Sequence, residues 1–189
     1  RNNIEIIKVL VEKQEEDINI SKIAKYSKIN YKNVYLTIKN LEKEKLISLK
    51  SFGKNKKVIF NKKVHPLIFK AEFERRKKLF KNKDFLIIAK NLASLNFPLI
   101  VLLFGSYAKG RSQKGSDIDL LVVCDKNKER EIREVIDLFP LETHLTFVYF
   151  EDFMKMLRTK EFNVVSEAVK NNIILVGIED YYRLIENAG

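Results

Sequence analysis

Apolar residues in the first part of the chain recur at the spacing of an α-helix. Residues 4–13 carry them on one face, which predicts a first helix. Residues 21–28 predict a short second helix with Ser21 as its N-cap. A third helix is expected from Tyr31 to Lys45, with Asn30 as its N-cap. The pattern therefore predicts three short helices, the last two joined by a tight turn.

After the third helix the pattern changes to that of β-structure. Residues 46–61 contain two β-prone runs that flank a turn with Gly53 and Asn55. Three helices followed by a β-hairpin with lysines at its tip resemble a winged helix-turn-helix domain. The resemblance predicts a DNA-binding domain over residues 1–63.

On this resemblance the third helix is the recognition helix, and double-stranded DNA is the partner. Outward polar side chains of that helix can contact phosphates or base edges, and lysines of the hairpin can contact the adjacent backbone. The candidate DNA-binding residues are Tyr31, Lys32, Asn33, Tyr35 and Lys39 in the helix and Lys54, Lys56 and Lys57 in the hairpin. Winged helices also serve as protein-contact modules, and that alternative stays open.

The net charge of +11 is concentrated in the first third of the chain. Residues 1–65 hold 16 Lys and Arg against 7 Asp and Glu, whereas residues 66–189 hold 20 against 18. Such an asymmetry favours a nucleic-acid-binding end. A Lys-rich surface that is merely solvated is the other interpretation of the charge.

The second half of the chain has a different organisation. Residues 64–83 predict a helical linker in which Pro66 starts a helix and His65 is a turn or capping residue. Beyond it, apolar runs of strand length alternate with helical patterns. The expected strands are 98–104, 117–124, 143–150 and 173–177, and the expected helices are 84–95, 126–139, 151–158, 162–170 and 179–188. This alternation predicts an α/β (α+β) domain over residues 84–189, with a mixed sheet covered by helices.

Cysteine content and hydropathy bear on the compartment. Cys124 is the only cysteine, so an intrachain disulfide is excluded and a reducing environment is favoured. No stretch approaches the roughly 20 apolar residues of a membrane-spanning helix. No signal peptide is visible, so we expect a cytoplasmic protein with no membrane partner.

The stretch LLFGSYAKGRSQKGSDIDLLVV, residues 102–123, places glycines and paired carboxylates between two apolar runs. Gly105 and Ser106 end one strand and begin a helix, where backbone N–H groups and a hydroxyl can bind an anion. Asp117 and Asp119 open the next strand two residues apart, so their side chains are expected on one face. Such a pair suits a hard cation such as Mg²⁺. A solvated turn before a core strand is the alternative.

These residues, together with Gly110 and Leu120 at fixed spacings, resemble the signature of the DNA polymerase β-type nucleotidyltransferase superfamily. Its small, minimal members are the most similar. The resemblance covers about residues 84–189 and implies a nucleoside triphosphate (NTP) and Mg²⁺ as ligands.

The resemblance also implies the roles of individual residues. The implied nucleotide-binding residues are Gly105, Ser106, Lys109, Arg111 and Ser116, of which the first two hold the triphosphate. The implied metal ligands are Asp117 and Asp119. Metal ions in such a site stabilise charge on the α-phosphate and activate an attacking hydroxyl, and pyrophosphate leaves.

Members of this superfamily usually carry a third carboxylate on the next core strand. In this chain the expected position holds His144, and Glu142 lies two residues earlier. Glu142 can substitute if the strand register shifts, and His144 can act as a general base. An ordinary strand histidine beside a catalytically weak site is equally open. The candidate catalytic residues are therefore Asp117, Asp119, Glu142 and His144.

Two classes of function follow. The first is an Mg²⁺-dependent enzyme that transfers a nucleotide from an NTP to a protein or RNA hydroxyl. For that class the resemblance implies toxin–antitoxin control, with a small helical HEPN-like toxin as partner. The second is a transcriptional regulator whose nucleotidyltransferase fold is weak or inactive and serves nucleotide sensing or dimerisation. A homodimer is expected by analogy with winged-helix regulators.

Overall fold

The computed structural model describes residues 1–52, 55–110, 117–159 and 161–188. The chain divides into two compact units, a first unit of Arg1–Glu74 and a second unit of Arg75–Gly189. The first unit contains helices and a two-stranded hairpin, and the second contains a four-stranded mixed sheet with helices. This content agrees with the predicted α+β class.

The first unit begins with the three helices that the apolar spacing predicts. They are α1 (Asn2–Glu12), α2 (Ile20–Ser27) and α3 (Tyr31–Lys43). The predicted end of α3 at Lys45 is two residues too late, because Lys45 has a positive φ of 58° that ends the helical conformation.

The N-caps of α2 and α3 are both asparagines, and only the cap of α3 agrees with the prediction. Asn19 caps α2, since its side chain accepts the Lys22 N–H at 2.9 Å. Ser21 therefore lies inside the first turn of α2, and its assignment as N-cap is wrong. Asn30 caps α3 as predicted and accepts the Asn33 N–H at 2.9 Å.

A short turn and a hairpin complete the first unit. Lys28, Ile29 and Asn30 join α2 to α3, and Lys28 is in the left-handed conformation. Strands β1 (Ile47–Phe52) and β2 (Asn55–Phe60) pair antiparallel. The core of this unit is formed by buried aliphatic side chains, among them Ile7, Leu10, Ile23, Val34, Ile38, Leu41, Leu46, Ile47 and Val58.

Helix α4 (Pro66–Leu79) begins at the proline from which the sequence predicts a helix. His65 precedes it, and the His65 Nδ1 accepts the Leu67 N–H at 3.2 Å. The predicted capping role of His65 is confirmed by that hydrogen bond.

The second unit alternates strands and helices. Its elements are α5 (Lys83–Ala93), β3 (Ile100–Phe104), α6 (Gly105–Ala108), β4 (Ile118–Cys124), α7 (Glu129–Ile136), β5 (Thr143–Tyr149), α8 (Phe150–Arg158), α9 (Val164–Lys170), β6 (Ile173–Val176) and α10 (Ile178–Ala188). Strand β3 begins two residues after Pro98, where the sequence predicts it to start, and proline cannot donate to a sheet ladder. The predicted helix 126–139 is divided into a 3₁₀ turn at Lys126–Lys128 and α7.

The sheet of the second unit has the strand order β5-β4-β3-β6. Strand β3 runs antiparallel to both β4 and β6, whereas β4 and β5 are parallel. One face packs against α5 and α7 in a core with Phe85, Leu103, Leu120 and Ile132. Helices α8, α9 and α10 contact the strands as well, so the central strands β3 and β4 are buried along almost their whole length.

Within the described ranges, no helix combines the length and the apolar character that crossing a membrane requires.

Candidate active site

The register of the central strands places the glycine-serine turn beside an acidic residue. In the antiparallel pair of β3 and β4, Phe104 lies opposite Asp119. The chain leaves β3 directly after Phe104 and enters α6 at Gly105. Gly105 and Asp119, which are 14 positions apart in the sequence, are therefore brought together by the strand pairing.

Gly105 fits this position because it has no side chain. Its φ of 68° lies in the left-handed region, which L side chains rarely adopt. A Cβ on Gly105 would collide with the Asp119 Oδ2 and would lie 3.1 Å from the Asp119 Cγ. The carboxylate of Asp119 thus packs directly over the backbone of the turn, and the space that a Cβ would fill is used by the acid.

Helix α6 is a single turn, Gly105–Ala108, that an aromatic contact anchors on its core side. The Tyr107 ring lies 5.9 Å from the Phe85 ring on α5, centroid to centroid. At the other end Gly110 has a φ of 65°, and its N–H donates to the Tyr107 carbonyl at 3.1 Å. The first turn of any helix leaves N–H groups without intrahelical partners, so α6 can offer donors to an anion.

On the other side of β4, the parallel register places His144 of β5 opposite Asp119. Partnered residues of neighbouring strands point to the same face. The His144 Nδ1 lies 3.8 Å from the Asp119 Oδ1, and the side chains are 80% and 32% exposed, respectively. The structure therefore places an imidazole, not a carboxylate, beside Asp119, at the position where the resemblance implies the third acid.

Asp117 and Glu142 lie just outside the strands, and both are exposed. Strand β4 begins at Ile118, whose N–H donates to the Glu142 carbonyl at 3.1 Å. Asp117 and Glu142 thus flank the start of the parallel pair. The expectation that Asp117 shares a face with Asp119 depends on strand geometry that starts only one residue later.

The donor set suits a divalent cation only in part. Among the described residues, no group of three or more His, Cys, Asp and Glu side chains is arranged to hold a metal ion. Asp119 nevertheless presents a half-buried carboxylate at the edge of the sheet. Asp117 supplies a second, exposed carboxylate, and carboxylate oxygens are ligands that Mg²⁺ prefers. These two residues would hold Mg²⁺, with solvent or substrate oxygens supplying the other ligands.

Other predicted site residues are peripheral or undescribed. Lys109 is exposed and follows α6 directly. Arg111 and Ser116 lie outside the described residues. Cys124, at the far end of β4, is buried, and that burial raises the pKa of its thiol to about 11, so the thiol stays protonated and inert at neutral pH.

Four of the five predicted DNA-binding residues of α3 lie on its exposed face, and Lys39 is partly exposed. Tyr31 is 55% and Tyr35 43% exposed, and both Lys32 and Asn33 are exposed. Val34, Ile38 and Leu41 form the opposite, buried face. Sequence reasoning missed Leu36 on the exposed face, which is 52% exposed and extends the aromatic surface. A helical wheel of the same sequence signals it, because Leu36 is two residues off the buried stripe.

Two of the predicted DNA-binding lysines form ion pairs within the first unit. The Lys39 Nζ lies 2.9 Å from the Glu42 Oε2, and this hydrogen bond raises the pKa of Lys39. Lys57 on β2 pairs with Asp17 and lowers the pKa of that carboxyl. Lys56 is exposed, and Lys54 lies outside the described residues. The cations on this surface are therefore not equivalent.

Tyr107 is the site residue that sequence reasoning missed in the second unit. It sits inside the glycine-serine stretch, and it is partly buried against the core that contains Phe85. An aromatic residue two positions after the turning glycine is the available signal, since a one-turn helix needs an apolar anchor to be fixed.

The sequence of the second unit is similar to that of a known protein family. A family model described as polymerase beta, nucleotidyltransferase, matches residues 87–180. Comparisons with curated proteins and with solved structures gave no match. The matched segment contains Gly105, Asp119 and His144, and the first unit lies outside it. Residues 87–180 are thus similar to the nucleotidyltransferase domain of the polymerase beta family, which supports a nucleotidyltransferase-type function for the second unit.

Proposed function

We propose that the second unit binds an NTP at the junction of β3 and α6 and transfers its nucleotide to a protein or RNA hydroxyl. The observation that carries this proposal is the packing of Asp119 directly over Gly105. It puts a candidate metal ligand next to a turn whose N–H groups and Ser106 hydroxyl can bind a triphosphate. The family match over the same residues supports the assignment.

The charges of the site explain why a cation is needed. A triphosphate at Gly105 would lie close to the Asp119 carboxylate, and like charges at such a distance repel each other. A cation held by Asp117 and Asp119 removes this repulsion. When bound, Mg²⁺ would neutralise phosphate charge and lower the pKa of a bound hydroxyl. Lys109 and Arg111 would add positive charge on the phosphate side.

For the first unit we propose a winged helix that binds double-stranded DNA through α3. Its support is the sequence of three helices, a three-residue turn before α3 and an antiparallel hairpin. The exposed face with Tyr31, Lys32, Asn33 and Tyr35 carries groups that bind phosphates and base edges. In this proposal Lys32 and Lys56 contact phosphates more readily than Lys39 and Lys57, which must first leave their carboxylate partners.

A second candidate function is favoured by His144. A neutral imidazole supplies no negative charge, so a site with His144 in place of a carboxylate binds Mg²⁺ less strongly. A transcriptional regulator that senses NTP with little or no turnover is consistent with that substitution. A homodimer and control of a HEPN-like toxin stay predictions for either function.

Nucleotide transfer can be tested directly. The protein is incubated with each α-labelled NTP, Mg²⁺ and a cell lysate, beside the Asp119→Ala variant. Labelled protein or RNA with the wild type and not with the variant is the expected result for the enzyme. Absence of transfer, together with DNA binding that changes on addition of NTP, would contradict the enzyme and favour the regulator.

A further inference from the structure

We propose that His144 is a metal ligand beside Asp119, and that the site therefore prefers a first-row transition-metal ion such as Zn²⁺ or Co²⁺ over Mg²⁺. The proposal rests on the proposed function, because it names the ion of that same site. It departs from the oxygen-only ligand set that the resemblance implies.

The separation of the two donor atoms fits a shared ion. The 3.8 Å between the His144 Nδ1 and the Asp119 Oδ1 is too long for a direct hydrogen bond. Two ligand atoms that each lie about 2.1 Å from one ion can be up to about 4.2 Å apart. A single ion can therefore contact both atoms with little movement of either side chain.

The backbone enforces this arrangement. Asp119 and His144 are partners in a parallel ladder that continues without interruption to Cys124 and Tyr149. The two oxygens of the Asp119 carboxylate face different neighbours, since Oδ2 packs over Gly105 and Oδ1 points to His144. Because the two carboxylate oxygens are equivalent, one oxygen faces the imidazole whichever of them packs over Gly105.

Both donors can be reached from solvent. The His144 side chain is 80% exposed and that of Asp119 is 32% exposed. An ion between them would keep coordination positions open for water or for phosphate oxygens. This openness distinguishes the pair from a closed structural metal site and suits an ion that also binds a substrate.

The chemistry of the donors decides the preference between ions. Imidazole nitrogen is a good ligand for Zn²⁺ and its neighbours in the first transition row, whereas Mg²⁺ is bound by oxygen ligands. Exchange of a carboxylate for a neutral imidazole also removes one negative charge, which weakens the binding of Mg²⁺ most. His144→Asp should reverse the preference, because it restores the oxygen ligand.

The chain has two histidines, which permits a clean spectroscopic test. The full-length protein is titrated with Co²⁺ at a pH of about 8, where an ordinary imidazole is neutral. Binding is followed by the paramagnetic shift of the two imidazole proton signals in the NMR spectrum, and Mg²⁺ is added as a competitor. His144→Ala and His144→Asp are compared with His65→Ala, the matched variant that removes the other histidine.

We expect Co²⁺ to shift the imidazole signals that are lost in His144→Ala. His144→Ala should weaken Co²⁺ binding by at least about tenfold and leave Mg²⁺ binding within about twofold. His144→Asp should favour Mg²⁺, and His65→Ala should behave like the wild type. Equal Co²⁺ affinity of His144→Ala and wild type, or Mg²⁺ binding as tight as Co²⁺ binding in the wild type, would overturn the proposal.

Failure of this proposal can be told apart from failure of the proposed function. NTP binding is measured on the same samples by equilibrium dialysis with labelled nucleotide. If NTP binds in an Asp119-dependent manner while His144→Ala leaves Co²⁺ binding unchanged, only the metal assignment is wrong. If Co²⁺ binding depends on both residues and no NTP binds, the metal assignment stands and the nucleotide site is wrong.

Discussion

The candidate surfaces of the two units differ in what holds their residues in place. On α3 of the first unit, Tyr31, Lys32 and Tyr35 project from the exposed side of one helix. In the second unit, Asp119 is fixed by a strand register on either side, opposite Phe104 and opposite His144. Single substitutions should therefore have small effects on ligand binding at the first surface and large effects at the second.

The same difference determines how narrowly the ligand of each surface can be predicted. An exposed helical face accepts many ligands, and charge alone does not distinguish DNA from a protein partner. At the site around Asp119 the strand register determines which side-chain atoms lie close together, so the residues present indicate which ligands can bind. The most tightly packed residue, Gly105, should therefore be the most sensitive to substitution.

The largest effect is expected for Gly105→Ala. The new Cβ would meet the Asp119 carboxylate, and the φ of 68° adds the cost of a left-handed L residue. We expect the second unit to lose at least about 3 kcal/mol of unfolding free energy and the protein to lose NTP binding. Urea denaturation and dialysis with labelled NTP measure the two effects.

Gly110→Ala is the matched control for that experiment. Gly110 has a similar φ of 65°, but a Cβ there meets no atom of the described residues within 4 Å. The expected cost is about 1–2 kcal/mol, from the backbone conformation alone. Equal costs at the two glycines would contradict the claim that Asp119 packs against Gly105.

A smaller effect is expected for Tyr107→Ala, which removes the aromatic anchor of α6. Loss of the contact with Phe85 should lower the unfolding free energy by about 2 kcal/mol and weaken NTP binding, since the turn is held less firmly. Tyr107→Phe keeps the ring and should stay close to the wild type in both measurements. A Tyr107→Ala variant with unchanged NTP affinity would show that α6 needs no anchor.

The smallest effect is expected on the first unit, where each lysine supplies only part of the electrostatic attraction to DNA. Lys32→Ala should weaken DNA binding a few-fold and reduce the slope of log K against log salt concentration by about 1. The double variant Lys39→Ala/Glu42→Ala removes an ion pair without a change of net charge and should leave the slope unchanged. Fluorescence anisotropy at several salt concentrations distinguishes the two. A steeper loss for the double variant would place Lys39, and not Lys32, on the phosphates.

Much of the fold could be predicted from the sequence, because apolar spacing together with prolines, glycines and capping residues indicates most of the helices and strands. The prediction of Ser21 as a cap was wrong, since the choice between Asn19 and Ser21 depends on where the first turn starts by one or two residues. Apolar spacing does not fix that start.

The candidate site could be predicted only in part. The motif assigned Gly105 and Asp119 to one site. Counting along the chain placed His144 where the resemblance implies a third carboxylate. The direct packing of the Asp119 Oδ2 on Gly105 and the approach of its Oδ1 to His144 depend on strand pairing. Such pairing is a long-range property that local sequence patterns do not contain.

Nucleotide binding at the junction of β3 and α6 is tested most directly by the response of individual backbone amides to an NTP. A ¹⁵N-labelled sample is titrated with ATP and a divalent cation, and the amide signals of Gly105 and Ser106 are followed in two-dimensional NMR spectra. We predict that these two amides shift most, and that Asp119→Asn abolishes the shift. Saturating nucleotide that leaves the two amide signals unshifted, or that shifts them equally in the Asp119→Asn variant, would contradict Asp119-dependent binding of NTP at this turn.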